Sequence, residues 1–158
     1  MREAKIDIFS PTILENVNAI CFTSNGIVRR DGKLVMGAGV AKAFRDRLPG
    51  IDAKAGLAVR KNGNVCQIIS TPVIKIEKKN ISVPTNVVAF PTKNHFKDDS
   101  DIDLIMRSSR RLMELVEEHK WQYVALPRPG CQNGNLSWEF VREKIEKVLD
   151  KRVIIVYI

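Results

Sequence analysis

Short apolar runs alternate along this chain with stretches whose apolar positions fall at helical spacing. Runs rich in β-branched and apolar residues occur at Ile6–Phe9, Ala19–Thr23, Val65–Thr71, Val87–Pro91, Tyr123–Leu126 and Val153–Ile158. Runs of this length without polar alternation predict strands covered on both faces. Three helices are readable between them. Val40, Ala41, Phe44 and Leu48 share one face of a helix predicted from about Gly39 to Leu48, which Pro49-Gly50 ends. Ile102, Ile105, Met106, Leu112, Met113 and Val116 form a stripe on a second, from about Asp101 to His119, with Ser100 as the expected N-cap. Ser137 caps the start of the third, and Leu136 and Val141 are spaced to staple that start. Ile74 to Val83 reads as a hairpin turning at Glu77-Lys78-Lys79-Asn80.

The late order of strand, helix, strand, helix, strand requires crossover connections. The expected fold class is therefore α/β: a three-layer α/β/α sandwich around a mixed, mainly parallel central sheet. There is no internal repeat and no Ser- or Pro-rich linker. The last strand reaches the final residues, so the expectation is one domain over residues 1–158.

Composition narrows the chemistry. The net charge is +8, which suits nucleotides, nucleic acid or phosphorylated surfaces without choosing among them. Three cysteines, Cys21, Cys66 and Cys131, are widely spaced, and the only histidines are His95 and His119. Neither a disulfide framework nor a metal site is expected, and a reducing cytoplasm is the expected compartment. No apolar run is long enough to suggest a membrane partner, and no cofactor is expected.

Two strand-to-helix connections stand out. The first, Thr23 to Lys42, is long and places Gly37-Ala38-Gly39-Val40 at the helix start. Glycines there let a ligand approach the backbone, and free N–H groups at a helix start favour an anion. A dinucleotide-binding turn is rejected: Lys42 stands where a third small residue belongs, and the strand ends more than ten residues earlier. The second connection, Pro127 to Trp138, carries Gly130-Cys131-Gln132-Asn133-Gly134 before another helix start. Its amides can form a second anion-binding concavity. Two such loops at the C-terminal strand ends suit a diphosphate. Either loop alone is ordinary turn chemistry.

Together these stretches resemble the macrodomain superfamily, in order and over nearly the whole chain. Val17-Asn-Ala-Ile-Cys-Phe-Thr-Ser-Asn25 is similar to the family's strand ending in a ligand-facing Asn. Val35 to Ala41 resembles its first phosphate loop, and Ala125 to Trp138 its second. Phe90-Pro-Thr-Lys-Asn-His-Phe96 is similar to the F-P-T-K-x-H-W segment of the DNA ADP-ribosyl glycohydrolase antitoxins, and to the lysine-bearing segment of the glutamate-linked enzymes. The resemblance implies ADP-ribose or an ADP-ribosylated macromolecule as ligand, with the diphosphate between the loops. It implies Lys93 as the catalytic lysine and Asn25 as its companion at the distal ribose; His95, as an imidazole able to accept a proton, is a secondary candidate beside its reading as a surface loop histidine. Such a lysine attacks only as the neutral amine, so its surroundings must draw off the proton.

The sequence also departs from the family pattern. Ser10-Pro11 stands where a Gly-Asp is expected after the first strand, which removes the Asp that contacts adenine. Phe22 replaces an Asn, and Gln132 replaces a glycine and crowds the pyrophosphate. Gly134 takes the place of an Asp that assists the lysine in the glutamate-linked enzymes. The loop through Gly26–Leu34 is longer than in the antitoxins. Three functions remain at this point: a hydrolase releasing ADP-ribose, a module that reads it without turnover, and a nucleic-acid-binding domain driven by charge.

Overall fold

The computed structural model describes residues 1–158. Its elements run β1 (Arg2–Lys5), α1 (Pro11–Leu14), β2 (Ala19–Ser24), α2 (Gly39–Arg47), α3 (Ile51–Asn62), β3 (Gln67–Ser70), β4 (Val73–Lys75), β5 (Ser82–Pro84), β6 (Asn86–Pro91), α4 (Ile102–His119), β7 (Val124–Pro127), α5 (Trp138–Ile145) and β8 (Val153–Tyr157). Six strands form one sheet in the order β1-β8-β7-β2-β6-β3. Every neighbouring pair is parallel except β3 with β6, so the sheet is mixed and mainly parallel, as expected. The strands β4 and β5 form the separate hairpin, with Ile74 opposite Val83.

Side chains of each central strand alternate between two cores. On β2, Ile20 and Phe22 join the cluster under α2 and α3, while Ala19 and Cys21 join the cluster under α4 and α5. On β6, Val87 and Ala89 face the first and Val88 and Phe90 the second. Both faces are therefore apolar, which is why these strands read as unbroken apolar runs. Phe44 of α2 packs between Phe9 and Phe22, with ring centroids 4.8 and 5.3 Å away. That contact anchors α2 on β2 and sets its first turn at the C-terminal end of the sheet. Phe22 is fully buried, so its replacement of a family Asn is a packing change.

Three expectations need correction. The first strand is Arg2–Lys5, not Ile6–Phe9; Ile8 and Phe9 instead turn down into the core. The cap of α4 is Asp101, whose carboxylate accepts from the amides of Asp103 at 2.9 Å and Leu104 at 3.4 Å. Ser100 instead donates its backbone N–H to the carbonyl of Gly134. Two further helices, α1 and α3, join the three that the apolar spacing predicts. In contrast, Ser137 does cap α5, accepting from the amide of Phe140 at 3.2 Å.

Candidate functional site

The strands β2, β6, β7 and β8 run parallel and end on the same side of the sheet. Over those ends lies a cleft of about 840 Å³. Its lining includes Thr23 and Ser24 at the end of β2 and Asn25 just after it, Thr92 and Lys93 just after β6, and Pro127 at the end of β7. Both glycine-bearing loops line it, Gly37 to Val40 and Gly130 to Gly134. The juxtaposition expected from the sequence is therefore present.

The first loop ends in an uncapped helix. Ala38 is extended, no side chain bonds the first turn of α2, and Gly39 sits at φ +59°. First-turn N–H groups without a side-chain cap are free for an anion. The second loop approaches them. A Cβ built on Gly39 would lie 3.1 Å from Nδ2 of Asn133 and 3.7 Å from Oε1 of Gln132. The loop tip thus lies beside the helix start, with Gln132 at ordinary contact distance from it.

Lys93 crosses the cleft to that tip. Its Nζ donates to the carbonyl of Asn133 at 3.2 Å. Its backbone is strapped from behind: Nδ2 of Asn64 donates to the carbonyl of Lys93 at 3.1 Å, and the amide of Gly26 donates to that of Asn94 at 3.0 Å. Asn25 lines the cleft, but its side chain also holds the long first loop. Its Nδ2 donates to the carbonyl of Val35 and its Oδ1 accepts from the amide of Ile27, both at 3.0 Å. One N–H and one lone pair of that amide remain for a ligand.

Cys131 lines the cleft as a thiol. Burial pushes its pKa up to about 11, with the Arg128 guanidinium opposing, so it is not a ready nucleophile at neutral pH. His95 does not line the cleft: its ring stacks on Phe96, and its Nδ1 accepts from the amide of Lys97. No three His, Cys, Asp or Glu side chains converge as metal ligands.

Asp7 and Arg128 are among the cleft residues that sequence reasoning did not assign to a site, and Phe96 and Ser100, read there only as the end of the lysine-bearing segment and as a helix cap, also line the cleft. Asp7 matters most, because it overturns the expected loss of the loop carboxylate. With β1 ending at Lys5, the residues that follow it are Ile6-Asp7, and Asp7 lies at the cleft with Oδ1 accepting from the amide of Phe9. Ser10-Pro11 begins α1 instead, as its cap and first residue. Arg128 stacks 3.8 Å from the centroid of the Tyr157 ring and 5.0 Å from that of Trp138. No sequence signal links those residues, since the sheet alone brings them together. Position 134 has no room for a carboxylate, because a Cβ there would sit 2.1 Å from Oγ of Ser100 and 2.6 Å from the carbonyl of Gly130.

A family model for the Macro domain matches residues 30–145. The chain belongs to the Macro domain family. Two related proteins are named DNA ADP-ribosyl glycohydrolase. The one from Thermus aquaticus is 27% identical over 116 residues, 73% of this chain and 31% of its own length. The one from Mycobacterium tuberculosis is 26% identical over 111 residues, 70% of this chain and 30% of its own. The chain spans about a third of the length of these relatives. Among solved structures, the macrodomain of Thermus aquaticus DarG is 26% identical with a TM-score of 0.71, covering 99% of this chain and 97% of that one. Thermosipho africanus DarTG, solved in complex with ADP-ribose, shares the fold at 22% identity and a TM-score of 0.74, over 100% of this chain and 42% of that one.

Proposed function

We propose that this macrodomain binds ADP-ribose and hydrolyses the glycosidic bond joining it to a macromolecule, with DNA favoured over protein. The observation that carries the reading is the meeting of Lys93, the uncapped start of α2 and the Gly130–Gly134 loop within one cleft. In this reading the diphosphate lies between the loops, on the first-turn amides of α2. The Asp7 carboxylate, one oxygen of which is uncommitted, accepts from the adenine amino group. Asn25 orients the distal ribose. The neutral Lys93 amine attacks the anomeric carbon, the bond to the macromolecule breaks, and the departing nitrogen or oxygen takes the proton that the alkylated lysine nitrogen gives up. Water then releases ADP-ribose and returns the lysine. DNA is the substrate in the names of the two related enzymes, and a net charge of +8 suits it. The free thiols of Cys21, Cys66 and Cys131 suit a reducing cytoplasm. No helix is long and apolar enough to cross a membrane.

A reader module is the second reading. It is favoured by the absence of any space for a carboxylate at position 134, which leaves Lys93 without that assistant. Calorimetry with ADP-ribose, followed by turnover assays on ADP-ribosylated DNA and protein, separates the two. Gly39→Glu places a carboxylate against the anion site and is expected to abolish binding. Because Gly39 has positive φ, that change also costs about 1–2 kcal/mol of stability. Gly37→Ala is the companion variant: a Cβ there meets nothing within 4 Å and the backbone is not strained, so any loss of affinity reports the ligand. Normal ADP-ribose binding by Gly39→Glu places the ligand elsewhere.

A further inference from the structure

Resting on the proposed reading, we infer that Arg128 is a receptor for a phosphate carried on the adenosine ribose of the ligand, so that the cleft favours ADP-ribose 2′-phosphate over ADP-ribose. Arg128 lines the cleft, and its guanidinium lies against two aromatic rings, 3.8 Å from the centroid of Tyr157 and 5.0 Å from that of Trp138. Those contacts engage its faces and leave its N–H edge. Nε is buried without a partner, and the ion-pair partner of Nη2, Oε1 of Glu3, stands 3.8 Å away, beyond hydrogen-bond reach. Glu3 is committed elsewhere: its Oε1 accepts from Nε1 of Trp138 at 3.0 Å and its Oε2 pairs with Nε of Arg142 at 3.2 Å. Arg142 has Glu146 as well, at 3.9 Å, whereas Arg128 pairs with no carboxylate but Glu3. A buried N–H without an acceptor costs stability, and a guanidinium whose planar fork is unspent matches the oxygens of a phosphate.

The sheet order places this donor along the ligand. Asp7 follows β1, Tyr157 ends β8, Arg128 follows β7, Asn25 follows β2 and Lys93 follows β6, and these strands lie side by side as β1-β8-β7-β2-β6. With neighbouring strands about 4.8 Å apart, β7 lies about 10 Å from β1 and about 10 Å from β6. In the proposed reading adenine is at Asp7 and the distal ribose at Asn25 and Lys93. Arg128 therefore stands midway, where the adenosine ribose and the diphosphate lie. The diphosphate turns toward the first turn of α2. Arg128 is on the other side, because Trp138 begins α5, and α2 and α5 cover opposite faces of the sheet. What meets the guanidinium is then the hydroxyl edge of the adenosine ribose. In dinucleotide-binding folds a carboxylate at that edge takes the free hydroxyl, whereas an arginine accommodates a 2′-phosphate. Here the carboxylate of Glu3 is tied to Trp138 and Arg142, and the arginine is the group left free. ADP-ribose carries such a phosphate when its parent dinucleotide is NADP.

The test is calorimetry of the parent and three variants with ADP-ribose and with ADP-ribose 2′-phosphate. The parent is expected to bind the phosphorylated ligand about tenfold more tightly, the worth of one charge-assisted contact. Arg128→Gln is expected to erase that ratio. Glu3→Gln keeps an acceptor for Trp138 but removes the competing charge, and is expected to increase it. Lys61→Gln removes the same charge as Arg128→Gln from an exposed position outside the cleft, and the ratio should stay as in the parent. A preference that survives Arg128→Gln overturns the inference, and so does one that Lys61→Gln also removes, since that is attraction by overall charge. Equal weakening of both ligands in Arg128→Gln, with the ratio kept, assigns the guanidinium to the diphosphate and overturns it too. Should Arg128→Gln not fold, Glu3→Gln carries the test, and an unchanged ratio there overturns the inference. A parent that binds both ligands equally refutes this site alone, whereas one that binds neither refutes the proposed function.

Discussion

At the scale of single residues, Lys93 can act in two ways that the cleft geometry alone does not separate. As a neutral amine it attacks the anomeric carbon; as a cation it steadies charge on the leaving group. Arginine distinguishes them, because a guanidinium keeps the charge and is never deprotonated in a protein. If attack is the role, Lys93→Ala and Lys93→Arg both lose turnover by at least about 100-fold. ADP-ribose should still bind to within about fivefold, the worth of one exposed ionic contact. Turnover retained in Lys93→Arg and lost in Lys93→Ala makes the lysine an electrostatic group. The bond from Nζ to the carbonyl of Asn133 has a second consequence. A substrate that engages the amine must displace the Asn133 carbonyl or share the amine with it, so the second loop and the lysine are expected to respond together when the cleft fills.

At the scale of elements, the site depends on how the long first loop is clamped to α3. Gly56 lies against that loop so closely that a Cβ would come within 1.9 Å of the carbonyl of Gly32 and 3.0 Å of the amide of Leu34. The amide of Leu34 also donates to the carbonyl of Asp52 at the start of α3. Gly56→Ala must lift the loop, and overpacking of this kind costs about 1–3 kcal/mol. It should also loosen the Val35 and Ile27 bonds to Asn25 and weaken ADP-ribose binding. Leu57→Ala, at a position 69% exposed, is the control and should stay within about 0.5 kcal/mol of the parent in urea denaturation. Equal stability of Gly56→Ala and the parent would show that the clamp is slack. This is also where the sequence is least readable. In α3 only Ile51, Ala55 and Gly56 are buried and Leu57 points outward, so no strong apolar stripe marks the helix. The strand β1 is an edge strand with mostly exposed Arg2, Glu3 and Lys5, which hides it, and with it the position of Asp7. By contrast β2, β6 and β7 are buried on both faces, and α4 buries Leu104, Ile105, Leu112, Leu115 and Val116 along one side. Burial writes those patterns plainly. Both glycine loops are legible for a different reason: close backbone approach and left-handed φ restrict residue type locally, without reference to the rest of the fold.

At the scale of the whole molecule, the two cores hold the cleft together, and the core under α4 and α5 contains two fully or nearly fully buried thiols, Cys21 and Cys66. Burial raises the pKa of both, and for Cys21 the neighbouring Cys66 adds to it. Cys131 is raised less, to about 11. An acid whose folded-state pKa lies above its unfolded value binds its proton more tightly when folded. Its contribution is therefore complete below the free-thiol range near pH 8.5 and is withdrawn as the pH climbs through that range. Each of the two buried thiols, Cys21 and Cys66, lowers stability by up to about 1.4 kcal/mol per pH unit there. Cys131 stops contributing above about pH 11, whereas Cys21 and Cys66 continue. Stability at neutral pH is expected to be flat with respect to these groups and then to fall steeply on the alkaline side. Lysines and tyrosines titrate in the same window, so the comparison is made between proteins that differ by one thiol. Cys66→Ala should start less stable near neutral pH, because it leaves a small cavity, yet decline less steeply between about pH 8.5 and 10.5 in urea denaturation. Parallel curves for Cys66→Ala and the parent would mean that the buried thiol does not set the alkaline limit. Convergence of the two curves would locate that limit in the core beneath α4, behind the strands that carry Asn25 and Lys93, so that the cleft is expected to lose ADP-ribose over the same pH range in which the fold loses stability.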